Sequence, residues 1–450
     1  MVCSVRSSTA LDWLRVATLF EQATVWFDQG VWYVLLFPEE ASGALDPLEG
    51  KPIVCPADPL ARDVPLWAGV LPYEAFRSGL ERPAWSVAEK RAAPPCAQIE
   101  WRRFAAAVVI AASGESYVVA DSQALLAEIE ARLLRTDVAK GASSRAEPPL
   151  VPPGGEQPLE RLPRLSIVES EPAELHRERV RAAVARIREG EFYQVNLARQ
   201  LTLQFAAERP ADYARLLARL TQEFPAPFRF LFHTREGATV VGASPELALC
   251  AKASADGTRF SALETIPIKG TRARGKTAEE DARLLLELET DEKERAELAM
   301  IVDVERNDLN RVCEPGSVQR SAVRSEAHST VFHRVSTVSG RCRAELSRAD
   351  VLRALLPSGS VTGAPKVRAM EVIAELETAR RGLYTGAVGV LTRAGDVRLS
   401  MAIRTMVFER NGAGNYWVGG GIVVDSDADR EFEETRWKAA QVFSLQKITM

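Results

Sequence analysis

No apolar run in the chain approaches the ~20 residues needed to cross a bilayer as a helix. Residues 1–19 carry Arg6, Asp12 and Arg15 and lack the apolar core of a secretory signal. Cysteine is sparse and scattered: Cys3, Cys55, Cys96, Cys250, Cys313 and Cys342 form no CxxC pair. That spacing argues against a zinc site or a disulfide framework and for reduced thiols in a cytoplasmic protein. Charge of one sign is also missing, with 57 Lys and Arg against 61 Asp and Glu. The balance excludes a polybasic footprint, so neither nucleic acid nor a membrane surface is expected as a partner. No segment has the GxxxxGK[ST] spacing of a phosphate-binding P-loop. Only four histidines are present: His176, His233, His328 and His333.

What remains is a chain of 450 residues with 46% hydrophobic content, ample for a large core. Length alone suggests about three domains, or fewer if they are big. Residues 1–135 hold six of the eight tryptophans and form an N-terminal region of distinct texture. Within it, Val31–Phe37 reads as a buried strand and Ala106–Ala120 as a hairpin. Leu125, Leu126, Ile129 and Leu133 then fall at helical spacing. Residues 136–165 are rich in proline, with Gly154-Gly155 among them, and read as a linker. A third region, 166–445, alternates helices and strands. Pro172 and Gly190 bracket a helix whose face is Val180, Val184 and Ile187. In the next strand Val195, Leu197, Leu201, Leu203 and Phe205 point one way. Gln194, Asn196, Gln200, Thr202 and Gln204 point the other. Thr277 to Glu280 is a capping box opening a helix, a longer helix covers about 291–309, and others begin at Pro365 and near Ser426-Asp427. The mixture predicts an α+β architecture, with large antiparallel sheets packed face to face as a sandwich and covered by helices on the outside.

Several constellations could carry chemistry. Pro267-Ile268-Lys269-Gly270-Thr271 holds one lysine between a φ-locked proline and a permissive glycine. If buried and unpaired, such an amine loses its proton more easily and becomes a nucleophile near neutral pH. Glu294 with Glu297, and Glu431 with Glu434, are Glu-x-x-Glu pairs on two helices, each pair on one face. A cation between the helices would relieve both pairs, and oxygen ligands favour Mg²⁺; a solvated acidic face is the alternative. Leu356–Lys366 is a Gly-rich loop entering a helix, either an anion site or a simple cap. Gly419-Gly420-Gly421 follows a strand-like stretch and permits either close approach to a ligand or a sheet bulge. Arg404, read as lying in an apolar strand, needs an anion, most naturally a carboxylate. Glu246, at a turn leaving a strand, is a candidate acid, and His333 is the histidine to watch.

Taken together, these segments resemble the chorismate-utilising enzymes, and within them component I of aminodeoxychorismate synthase. The likeness covers roughly residues 174–441. It rests on Tyr193–Leu197, Ala243–Glu246, Pro267–Thr271, Ile301–Asp303, Arg306–Asp308, Gly363–Lys366, Gly419–Gly421 and Glu433–Thr435, in the family's order. The N-terminal part, including Leu71–Ala75, matches loosely. In this family, members that add water tend to carry a lysine base where Gln194 stands, and members that use ammonia carry glutamine. Anthranilate synthases usually show alanine where Lys269 stands.

The resemblance implies amination of chorismate to 4-amino-4-deoxychorismate, a precursor of 4-aminobenzoate and folate. Lys269 would be the covalent nucleophile and Glu246 the general acid. Mg²⁺ would be held by Glu297 and Glu434, with Glu294 and Glu431 acting through water. Arg404 and Tyr384 would hold the enolpyruvyl carboxylate with the amides of Gly420 and Gly421. Gln194, Gly270, Thr271, Thr362 and Lys366 would line the pocket, and His333 would face the ring. The family alternatives are anthranilate synthase component I and a non-catalytic paralogue that binds chorismate or tryptophan. No glutaminase nucleophile elbow, Gly-x-Cys-x-Gly, is present, so ammonia is expected from a separate glutamine amidotransferase subunit. Asn310, Arg334 and Ser358 depart from residues common in the family.

Overall fold

A computed structural model describes residues 3–6, 12–20, 22–48, 56, 58–77, 93–113, 115–135, 162–169, 171–328 and 331–448. Most of the proline-rich linker, 136–161, lies outside the described residues. Every pairing among the described strands is antiparallel. The long strand Glu100–Ala111 is shared by two sheets. On one edge it pairs with Val31–Ser42, and that sheet continues through Thr24–Asp28, Phe228–His233, Thr239–Ser244, Thr405–Phe408 and Ala413–Ile422 to Gln194–Phe205. On the other edge it pairs with Pro65–Leu71. That sheet continues through Ala387–Thr392, Val397–Met401, Leu247–Ala253 and Phe260–Ile266 to Val338–Arg341. A small third sheet joins Ile268–Ala273, Val331–Val335 and Arg324–Ala327.

Between the two large sheets lies a core to which both contribute, including Trp26, Leu35, Phe104, Phe230, Val240, Val388 and Val390. Helices cover the outer faces. Trp13–Leu19, Gln123–Arg135, Pro210–Glu223 and Ala428–Ile448 pack on the first sheet, and Glu292–Val312 with Arg348–Leu355 on the second. The expected sandwich is therefore the observed one. Strands from both sides of the 136–165 segment interleave in it: Thr24–Asp28 pairs with Phe228–His233, and Pro65–Leu71 with Ala387–Thr392. Among the described residues no helix is long and apolar enough to cross a membrane.

Local expectations hold where propensity and burial agree. The helix Ala173–Arg188 stops just before Gly190, and its Val180 and Val184 are buried. Asp291 caps Glu292–Val312 by accepting from the Glu294 N–H at 3.0 Å, which closes one free donor at that end. Thr277 caps Ala278–Thr290, but Glu280 accepts from the Lys276 N–H rather than closing the box on Thr277. Pro365 is the cap of Lys366–Leu376 rather than its first residue. The strand Gln194–Phe205 differs from its alternating pattern in one respect. Gln194 and Asn196, on the polar face, are buried, and Arg199 sits buried on the apolar face, donating to Thr435 Oγ1 at 2.8 Å. Alternation predicts which face a side chain points to, not whether a helix or loop covers that face.

The buried pair Arg381 and Glu377 locks this strand to the segment that follows Pro357. Arg381 donates to both Glu377 oxygens, to the Asn196 carbonyl at 2.7 Å, to the Val361 carbonyl at 3.2 Å and to Thr385 Oγ1 at 3.0 Å. Both members are about 1% exposed, so removing one leaves an uncompensated buried charge. Arg381→Ala is expected to cost about 3–5 kcal/mol in urea denaturation of the full chain.

Candidate active site

Two chain segments cross from one large sheet to the other at the same corner. One runs Thr239–Ser244 into Leu247–Ala253 through Pro245-Glu246; the other runs Val397–Met401 into Thr405–Phe408 through 402–404. They are tied there by Met401 N–H donating to the Glu246 carbonyl at 3.0 Å and Ala243 N–H donating to the Arg404 carbonyl at 3.2 Å. Glu246 is thereby buried at a strand break, as the Ser244-Pro245 turn predicts. Burial pushes its carboxyl up to about 7, against the Ser360 hydroxyl, which donates to it at 2.7 Å, and against Lys269 and Lys438. Arg404 is not inside a strand, contrary to expectation. It sits in the break with φ +53°, a conformation that the corner imposes. Neither Arg404 nor Lys269 has a salt-bridge partner among the described residues.

Lys269 lies on the Ile268–Ala273 strand and is half-buried rather than buried. Gly270 follows with φ +83°, a conformation that favours glycine, and a Cβ there would press on the Glu294 carboxylate. Thr271 pairs across the strand with His333, its Oγ1 3.0 Å from the ring Nδ1. Burial, with His328 and Arg404 nearby, pushes His333 down to about 4, so its ring is neutral at pH 7.

The glycine run lies inside the strand Ala413–Ile422, whose pairing with Gln194–Phe205 is unbroken, so there is no bulge. Its purpose is close approach. A Cβ at Gly421 would stand 2.7 Å from Gln194 Nε2 and 3.5 Å from Lys269 Nζ; one at Gly420 would stand 3.2 Å from Glu431 Oε2 and 3.6 Å from Glu434 Oε1. The same strand thus brings the lysine, the glutamine and one acidic pair together. Tyr384 is buried beside it, stacked on Trp417 with centroids 5.7 Å apart. A Cβ at Gly419 would reach the Tyr384 hydroxyl at 2.9 Å.

The four glutamates already face protein cations. Glu294 pairs with Arg272 at 2.5 Å, Glu297 with Lys293 at 3.7 Å and Glu434 with Lys438 at 2.6 Å. Glu431 accepts from Ser426 at 2.7 Å. Burial raises Glu431, and Glu434 adds to the effect. Burial also works on Glu434, but Lys438, Lys269 and Lys293 outweigh it and hold that carboxyl below its usual range. Lys293 acts on both carboxylates of the last helix, so the two acidic helices face one another electrostatically. Glu294 Oε2 is buried without a hydrogen-bond partner, which suits a further cation. Among the described residues no three His, Cys, Asp or Glu side chains are grouped so as to hold a metal ion. An ion such as Mg²⁺, which keeps several waters and binds through one or two carboxylates plus substrate oxygens, would need no such group.

Two expected pocket residues point their polar atoms elsewhere. The Thr362 hydroxyl donates to the Ser358 carbonyl at 2.9 Å, and the Lys366 ammonium is held by Asp308 at 2.7 Å and the Ala354 carbonyl at 3.0 Å. Arg334 donates to the Leu288 carbonyl and so serves local packing, whereas only the main-chain carbonyl of Asn310 is engaged, by Arg343, and nothing in the structure explains its side chain. Sequence reasoning missed Lys438, Glu305, Ser360 and Arg381. Lys438 was visible as the position one turn beyond Glu434; the others gave no local signal. Burial pushes the Lys438 ammonium down, with Glu434 pulling it back. The result is a patch with basic side chains at Lys269, Arg404 and Lys438, a buried acid at Glu246 and backbone bare of side chains at Gly420 and Gly421. It can bind a small polyanion, donate a proton to it and place an amine beside it.

A family model described as chorismate binding enzyme matches residues 36–444. Anthranilate synthase component 1 1 of Haloarcula marismortui is 44% identical over 261 residues, 57% of this chain and 50% of that protein. The probable chloroplastic aminodeoxychorismate synthase of Oryza sativa subsp. japonica is 41% identical over 265 residues, 58% of this chain and 28% of that protein. The crystal structure of anthranilate synthase component I from Streptococcus pneumoniae TIGR4 superposes with a TM-score of 0.70 at 26% identity. It covers 100% of this chain and 92% of its own. The chain spans about half the length of the curated relatives it matches.

The Glu246 carboxyl gives a prediction about stability. Its ordinary value is 4.5, and in the fold it titrates at about 7. The folded state therefore binds this proton more tightly than the unfolded chain does. The stability it contributes is full below pH 4.5 and is lost as pH rises through about 7. Glu246→Gln removes that loss. The variant should gain roughly 1–3 kcal/mol relative to wild type on going from pH 5 to pH 8, read from urea midpoints at each pH.

Proposed function

Since the chain belongs to the chorismate-binding enzyme family, we propose that it aminates chorismate to 4-amino-4-deoxychorismate with ammonia from a separate glutamine amidotransferase. The observation that carries this reading is the place of Lys269. Its ammonium nitrogen lies against the Gly421 backbone and near Gln194, in electrostatic reach of Glu246 and Glu434. A lysine so placed is a nucleophile in search of a ring carbon, and the neighbouring glutamine cannot deprotonate water.

In this mechanism the lone pair of the Lys269 amine forms a bond to C2 of the ring, the double bond shifts, and the C4–O bond breaks. Glu246 delivers its proton to the departing hydroxyl, which leaves as water. Ammonia then bonds to C4, the double bond returns, and the C2–N bond to Lys269 breaks. Splitting one displacement into two lowers each barrier. Arg404 binds the enolpyruvyl carboxylate with the Tyr384 hydroxyl and the Gly420 and Gly421 amides. Glu297 and Glu434 would hold Mg²⁺, with Glu294 and Glu431 acting through water, and the ion would supply charge neutralisation for the ring carboxylate. The neutral His333 ring, fixed by Thr271, lines the ring's edge without adding charge.

A second reading is favoured by the relatives themselves, several of which are anthranilate synthase components at 39–44% identity. That activity would release pyruvate and form an aromatic product. The purified chain given chorismate, Mg²⁺ and ammonium is expected to form 4-amino-4-deoxychorismate without pyruvate; stoichiometric pyruvate with no lyase added would favour the second reading. Lys269→Ala should lower turnover by on the order of 10³-fold while largely sparing chorismate affinity, and mass spectrometry of the wild-type protein should find a lysine-bound ring. Glu434→Gln should weaken the Mg²⁺ requirement curve to higher concentrations; an unchanged metal titration would remove Glu434 from the ligand set.

A further inference from the structure

Behind Glu246 runs a line of oxygen atoms that the chemistry above leaves unused. Ser360 Oγ is 2.7 Å from Glu246 Oε1, Ser358 Oγ is 2.9 Å from Ser360 Oγ, and Glu305 Oε1 is 2.5 Å from Ser358 Oγ. All four side chains are buried, none more than 8% exposed. Three contacts at hydrogen-bond distance need three protons, and two hydroxyls supply two. With both carboxyls ionised, each serine donates outward, and the two serine oxygens face each other with no proton between them. One carboxyl proton completes the line. Held on Glu305, it makes Glu305 donate to Ser358, Ser358 to Ser360 and Ser360 to Glu246; held on Glu246, it reverses every donor. The Ser360 N–H donates to Ser358 Oγ at 3.1 Å in either state and leaves each hydroxyl within its capacity.

We propose that Glu246 and Glu305 share a single proton through Ser360 and Ser358, which makes Glu305 the positioning residue that keeps Glu246 in its acid form. The catalytic part of this rests on Glu246 being the general acid. The shared proton passes from Glu305 to Ser358, one from Ser358 to Ser360 and one from Ser360 to Glu246, and Glu246 delivers it to the departing hydroxyl. Both carboxyls are then ionised, with part of the negative charge at Glu305, away from the substrate. Addition of ammonia at C4 releases one proton on the same face, and the line running backwards stores it on Glu305. Water leaves, ammonia enters, and the protein ends as it began.

The surroundings suit a shared proton. Lys269 and Lys438 face Glu246 from the Ile268–Ala273 strand and the last helix. Asp308, one turn along, and Lys366, from the Lys366–Leu376 helix, face Glu305. Asp308 and Lys366 neutralise one another at 2.7 Å, so no net cation holds Glu305 ionised. Burial raises both glutamates to about 7, with Asp308 and Glu246 adding to the effect on Glu305. Ser358 is one of this chain's departures from a glycine common in the family, so the bridge belongs to chains that carry a hydroxyl there.

The test reads the carbonyl absorbance of neutral carboxyls by infrared titration of the full chain. The wild type should show a component titrating near pH 7, and Glu305→Gln, which removes the like charge, should move the remaining Glu246 midpoint down by about one pH unit. In the chorismate and ammonium assay, Ser358→Ala should lower kcat about tenfold with KM unchanged, a part of the ~10²–10⁴ that general acid catalysis supplies, and Ser358→Thr should restore it. An unmoved midpoint in Glu305→Gln overturns the shared proton whatever the activity. Wild-type kcat in Ser358→Ala overturns the relay. Full turnover in Glu246→Gln would instead overturn the acid assignment, a separate failure because the infrared titration needs no turnover.

Discussion

The hydrogen bonds that join Glu246 to Met401 and Ala243 to Arg404 hold the corner on which the site depends. At this point two antiparallel strand pairs pass from one sheet of the sandwich to the other, and each must break its ladder to do so. A break leaves backbone groups to be satisfied locally and frees one side chain per strand from the alternation of inside and outside. Glu246 and Arg404 are those side chains. Placed anywhere else along the same strands, a carboxyl would face either the apolar core between the sheets or a covering helix.

Around the corner, close approach is obtained by removing side chains. Gly421 lets Gln194 and Lys269 come to the backbone of the neighbouring strand, Gly420 does the same for Glu431 and Glu434, and Gly270 makes room for Glu294. Three elements far apart in sequence are thereby packed within the reach of one small molecule. Their charges are mixed rather than segregated. Lys438, Lys293 and Arg272 sit among the glutamates, so the acidic helices can approach without a bound cation, while Lys269 and Arg404 are left without carboxylate partners. An anionic substrate would complete that balance.

Deeper in, polar groups that would be costly alone are satisfied in a connected set. Arg381 donates to the Asn196 and Val361 carbonyls, Glu377 accepts from the Ala198 N–H, and Ser358 and Ser360 join two carboxyls that burial would otherwise strand. Such networks order the segment between Pro357 and Pro365, which would otherwise be a glycine-rich loop.

The sequence by itself determined the element types and the pattern of faces. Helix caps at Asp291 and Thr277, the stop at Gly190, the hairpin within 106–120 and the two Glu-x-x-Glu faces all follow from interactions within a few residues. The motif set also named Lys269, Glu246 and the glycine run, because each carries a local chemical signature. Tertiary structure alone decided which polar residues are buried and which charges meet. Gln194 and Arg199 vanish into the interior, Arg404 leaves its strand at the corner, Lys366 turns to Asp308, and Glu305 finds Glu246 through two serines. Those outcomes depend on contacts between residues tens to hundreds of positions apart, and the period of a strand or helix fixes only the direction of a side chain, not what the rest of the chain packs against it.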